Sequence, residues 1–103
     1  MTDARTQVAI VAKLVAKPET AEELQGFLAG AVGLANDEPG TVVWFALRTD
    51  ATTFWIVDAF PGEAERTAHL QGRIAAALME SADRLLASPP ELGMADVLAA
   101  KVP

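Results

Sequence analysis

The chain has 103 residues, 51% hydrophobic and 21% charged, which suits one globular domain and excludes a disordered chain. A formal net charge of −6 with 8 dispersed Lys and Arg residues argues against nucleic acid or an anionic membrane as partner, because both need a concentrated basic surface. The absence of cysteine excludes disulfides, thiolate metal sites and a Cys nucleophile, and fits a reducing, cytoplasmic setting.

The start, "MTDARTQ", has no apolar h-region, so no secretory leader is expected, and no apolar run reaches the ~20 residues of a membrane span. "VAIVAKLVA" predicts a first strand over Val8–Ala16, ended by Lys17-Pro18. Thr20 with Glu23 predicts a capping box and a helix start. Leu24, Phe27, Leu28, Ala31, Leu34 and Ala35 then follow helical spacing along one apolar stripe. Gly26, Gly30 and Gly33 fall on the other side, either as a weak surface or as a place of close backbone approach. "NDEPG" stops the helix.

A second strand is expected over Thr41–Arg48 and a third over Phe54–Phe60, joined by the polar "TDATT". Pro61-Gly62 turns the chain into a helical region from Glu63 to Ser88, broken near Gly72. Its stripe is Leu70, Ile74, Ala77, Leu78 and Leu85, and Pro89-Pro90 ends it. The last strand is expected over Leu92–Ala100. This β-α-β-β-α-β order predicts an α+β, ferredoxin-like fold over the single domain 1–103 (core about 8–101), a four-stranded antiparallel sheet with helices on one face.

The second and third strands are apolar on both faces. Val42, Trp44, Ala46, Phe54, Ile56 and Phe60 are assigned to the helix side. Val43, Phe45, Leu47, Trp55 and Val57, with Val11, would then lie bare on the other side. Each large side chain left there forgoes roughly 1.5–3 kcal/mol of burial. A homodimer with sheet packed on sheet is therefore expected.

"EPGT…W……TD…TFWIVDAF…EAERTAHL…LLASPPEL" resembles the antibiotic biosynthesis monooxygenase (ABM) family of dimeric α+β barrels, from Val8 to Lys101. The resemblance is carried by Glu38-Pro39-Gly40 before the second strand, Trp44 within it, Phe54, Asp58 and Phe60 on the third, and His69 early in the second helical region. It departs where Asp58 replaces the commoner Glu, and where Arg73 and Ile74 stand in place of a second His. The haem-degrading branch uses an Asn on the first strand, where this chain offers only apolar residues and Lys13, so a haem role is not expected. The resemblance implies a pocket between sheet and helices. It also implies oxygenation of phenols, quinols or polyketide-like aromatics without metal, flavin or other cofactor.

His69, the single histidine, is either a general base that makes an electron-rich anion or a solvated helix residue beside Glu65 and Arg73. Asp58 interrupts an apolar strand face. It either acts as or orients a base, or it accepts from a nearby donor such as the Trp44 indole. Trp44 serves the core or a flat ligand, and Arg48 sits at the pocket mouth or on the rim. Phe27, Phe60 and Ile74 complete the candidate wall for a small hydrophobic or aromatic ligand. With one His and no Cys, no transition-metal site is expected within one subunit. Two rival functions remain open from sequence: a non-catalytic small-molecule binder, and a proton-transfer enzyme akin to lactone isomerases.

Overall fold

In a computed structural model, which describes residues 3–103, the burial of the third strand alternates strictly. This strand, β3 (Thr53–Phe60), buries Phe54, Ile56, Asp58 and Phe60. It lies between β1 (Val8–Val15) and β2 (Val43–Arg48), and β4 (Glu91–Asp96) completes the order β2-β3-β1-β4. Every pairing is antiparallel. Helices α1 (Ala21–Asn36), α2 (Glu63–Leu70) and α3 (Arg73–Leu85) cover one face. This is the ferredoxin-like arrangement expected from the sequence.

Register places residues in rows across the sheet. One helix-side row reads Trp44, Asp58, Ile10, Met94, and the next reads Ala46, Ile56, Ala12, Leu92. The main core joins Ile10, Leu14, Leu24, Leu28, Phe54 and Phe60, and a smaller cluster joins Ala31, Ala35 and Ile74. Trp44 packs against both. On the opposite face, Phe45, Val57 and Val11 form one row and Leu47, Trp55 and Lys13 another. There Phe45 is 56% exposed and Leu47 45%, whereas Val43, Trp55 and Val57 are half-buried.

The element boundaries differ from expectation for identifiable reasons. Thr20 precedes α1 but does not cap it through its side chain. Pro18 opens a short 3-10 turn, and the Thr20 hydroxyl donates instead to the carbonyls of Lys17 (3.2 Å) and Leu85 (2.7 Å). That second bond ties the start of α1 to the end of α3. The helix α3 stops at Leu85, ahead of Pro89, because Leu86 turns extended and bridges Ala16. The last strand ends at Asp96 because its partner strand β1 begins opposite, at Val8. Strand two starts at Val43 and strand three at Thr53. A Cβ at Gly26, Gly30 or Gly33 would meet nothing within 4 Å among the described residues, so none of their elements approaches that side of α1 closely.

Candidate acid-base site

Asp58 sits centrally on β3 with 1% of its surface exposed. A carboxylate this deep must be paired or hydrogen-bonded. Its Oδ2 lies 3.0 Å from His69 Nε2. His69 is also buried, at 8% exposure, and its Nδ1 lies 2.6 Å from Glu38 Oε1. One imidazole is thus held between two carboxylates from separate elements: Asp58 from the sheet and Glu38 from the loop after α1. His69 therefore does not face solvent beside Glu65 and Arg73, as the bland helical reading had it. The helix α2 is rolled so that Arg66 and His69, one turn apart, both point inward.

Arg66 fixes that roll. Its Nη1 donates to the carbonyls of Ala9 (3.0 Å) and Ala95 (3.2 Å), and its guanidinium pairs with Glu63. Glu38 is fixed from two sides. The Thr41 hydroxyl donates to Glu38 Oε1 at 2.8 Å. Gly72 leaves room for the carboxylate, since a Cβ there would stand 3.0 Å from Glu38 Oε2. Gly40 serves the same packing: a Cβ there would come within 2.9 Å of Glu65 Cγ on α2.

Burial disfavours the imidazolium and is the largest single influence on His69. The hydrogen bonds and charges of Asp58 and then Glu38 together outweigh it, so His69 titrates above the ordinary histidine value of 6.5. The folded protein then binds this proton more tightly than the unfolded chain does. The resulting stabilisation is fully present below the unfolded pKa and is lost as pH rises through the folded value. Thermal melts between about pH 6 and 9 should show wild-type stability declining relative to His69→Gln. Parallel curves for the two proteins would contradict the geometry.

A cavity of about 180 Å³ opens on this array from between the sheet and the helices α2 and α3. Asp58 and His69 are its only polar side chains; Ile10, Ile56, Ile74, Leu78 and Leu92 supply much of the wall. Asp58 Oδ1 and Trp44 Nε1 are both buried and have no hydrogen-bond partner among the described residues. The two residues are cross-strand neighbours, but the indole–carboxylate bond anticipated from the sequence does not form. Asp58 thus keeps one acceptor oxygen uncommitted.

Of the residues singled out in the sequence, His69, Asp58 and Ile74 meet at this cavity. Phe60 is fully buried behind it, its ring centroid 5.2 Å from that of His69. Phe27 and Trp44 pack into the core and do not line the cavity. Arg48 does not stand at its mouth. It belongs to the other end of the sheet, where it reaches Glu22, Gln25 and the carbonyls of Asp50 and Ala51, with its guanidinium 4.8 Å above the Phe54 ring. Glu38 entered the sequence reading only as part of a turn. Its signal was its place in a tight Pro-Gly corner, which says nothing about where the side chain points.

Both imidazole nitrogens are engaged by carboxylates, leaving neither to ligate a metal. No cluster of three or more His, Cys, Asp or Glu residues placed to hold a metal ion occurs among the described residues.

No family model matches the chain, and no curated protein matches it either. Among solved structures, a protein of unknown function from Nitrosomonas europaea is 50% identical, with 98% of each chain covered and a TM-score of 0.95. This chain belongs to the family of that Nitrosomonas protein. A second Nitrosomonas europaea protein, provisionally named an antibiotic biosynthesis monooxygenase, is 16% identical with a TM-score of 0.80, covering 88% of this chain and 98% of its own. One from Caulobacter crescentus with the same provisional name is 19% identical with a TM-score of 0.75, covering 91% of this chain and 92% of its own. The ABM fold resemblance read from the sequence is therefore shown at the level of architecture.

Proposed function

We propose that the cavity binds a compact aromatic molecule with one acidic hydroxyl and that Asp58 and His69 remove its proton. The observation that carries this reading is the paired Asp58–His69 base opening on an otherwise apolar cavity, with Asp58 Oδ1 uncommitted. Cavities of roughly 150 Å³ accept a benzene ring, so about 180 Å³ suits one ring with a small substituent. Such a ring would lie against Ile56, Ile74 and Leu78, its hydroxyl directed at Asp58. The apolar surroundings raise the energy of the anion and make it a better electron donor.

Oxygenation without a cofactor then follows. A phenol and O₂ give a quinone and water: the phenolic O–H and one ring C–H break, one oxygen atom enters the ring, and the other leaves as water. The ring supplies all four electrons that reduce O₂, two for each oxygen atom. The names of the ABM-fold proteins support this oxygenase half of the reading. Oxygen-electrode assays with monocyclic phenols and quinols test it. Oxygen uptake matched by quinone formation supports the proposal. Isomerised product formed under argon would assign the same array to proton transfer alone, and tight binding without turnover would assign the protein to ligand carriage.

The assembly proposed is a homodimer in which the faces bearing Val43, Phe45, Leu47, Trp55 and Val57 pack together. It is supported by the exposure of Phe45 and Leu47 on a sheet face that no helix of the same chain covers. The dimer would rigidify the sheet from behind while leaving the helix side free for the cavity. The cysteine-free composition supports a cytoplasmic setting. No helix among the described residues is long and apolar enough to cross a membrane.

A further inference from the structure

We infer that Glu38 is the solvent-side end of a proton path through His69, separating the side that exchanges protons with water from the side that meets the ligand. The inference rests on Asp58 and His69 being the acid-base pair. It goes beyond that reading in assigning Glu38, and the outer surface it occupies, a task of their own.

Two hollows flank the imidazole. The inner one is the apolar cavity with Asp58. The outer one is an open cleft of about 670 Å³ bordered by Asp37, Glu38, Thr41, Glu65, Gly72 and Arg73. His69 is the one residue that borders both. Its Nε2 meets the inner carboxylate and its Nδ1 the outer one. The two carboxylates differ in access: the Asp58 side chain is 2% exposed and that of Glu38 21%. At 8% exposure, the imidazole itself offers water little direct approach. The Phe60 ring beside it cannot carry a proton.

The step moves one proton. The Nδ1–H bond of the imidazolium breaks, an O–H bond forms on Glu38, and the ring becomes neutral. Glu38 then releases the proton to water in the outer cleft. The Asp58–His69 pair, one proton poorer, is now able to take a proton from a ligand in the inner cavity. The charged groups bearing on this titration are Asp58 from β3 and Glu38 from the α1–β2 loop. Asp37, Glu65 and Arg73 border the outer cleft. Glu38 is thus a positioning and relay residue that needs no contact with the ligand.

The path is measurable without any ligand, because the single histidine gives one set of imidazole signals. Long-range ¹H–¹⁵N spectra report its protonation, and saturation transfer from water reports the exchange rate of its Nδ1–H. Glu38→Gln preserves a hydrogen-bond acceptor for Nδ1–H but cannot take up the proton. Exchange should slow by roughly 100-fold, a modest effect for a positioned proton-transfer group. In Glu38→Ala, added formate should restore exchange, a response that a purely structural role would not produce. An unchanged or faster rate in Glu38→Gln, or no response of Glu38→Ala to formate, overturns the path. These outcomes are separate from the fate of the acid-base reading, which stands or falls on turnover in Asp58→Asn.

Discussion

Asp58→Asn is expected to lower turnover of a phenolic substrate by about 100- to 10,000-fold, the range for loss of a positioned general base. The substitution is nearly isosteric, so the row Trp44–Asp58–Ile10 and its packing are kept. What changes is charge. Asparagine cannot accept the substrate proton, and it removes the larger of the two hydrogen-bonding influences that hold His69 protonated. The buried imidazole loses its inner counter-charge and should titrate lower. Activity assays and thermal melts on the same preparations separate the readings. Lost turnover with a melting temperature near wild type assigns Asp58 to chemistry. Retained turnover with a large fall in melting temperature assigns it to the core.

Phe45→Glu is expected to convert a dimer to a monomer. Phe45 lies on the edge strand β2 of the bare face, in one row with Val57 and Val11. A two-fold interface counts each substitution twice. Losing burial of one Phe per protomer, at roughly 1.5–3 kcal/mol each, raises the dissociation constant by about 100- to 10,000-fold. Two facing carboxylates add repulsion. Light scattering after size exclusion should show the wild type at twice the monomer mass at micromolar concentration and the variant at the monomer mass. A monomeric wild type, or a variant that stays dimeric, contradicts sheet-to-sheet packing. The cavity lies on the other face, so the variant should retain the His69 titration.

The fold was legible because strand periodicity is a property of the backbone. The alternation along Thr53–Phe60 groups Phe54, Ile56 and Phe60 on one face but leaves open which face meets the helices, since both are apolar; the structure has the phase chosen, with these three buried. The break at Gly72 was equally readable, because glycine is a poor helix former, and the two helices do end and begin on either side of it. Chain ends of elements were less legible, since partners set them: β4 ends opposite the start of β1 at Val8, and α3 stops where Leu86 is recruited by Ala16.

The site was half legible. Asp58 stands out as a charge on an apolar face, and such an anomaly carries information wherever it occurs. His69 gave no such signal, because its burial depends on the roll of α2, which Arg66 sets by reaching backbone carbonyls on two strands. Glu38 lies 31 residues from His69 in sequence, and its role emerges only when the Pro39-Gly40 corner folds against α2. Arg48 misled for the opposite reason. It shares a face with Trp44, but the face is long, and Arg48 lies at the end away from the cavity.

The most direct measurement is an NMR pH titration of the one imidazole in the unliganded protein. A ring clasped by Asp58 and Glu38 should show a midpoint above 6.5 that falls in both Asp58→Asn and Glu38→Gln. A midpoint at or below that value, unmoved by either substitution, would mean that His69 is not held between the two carboxylates.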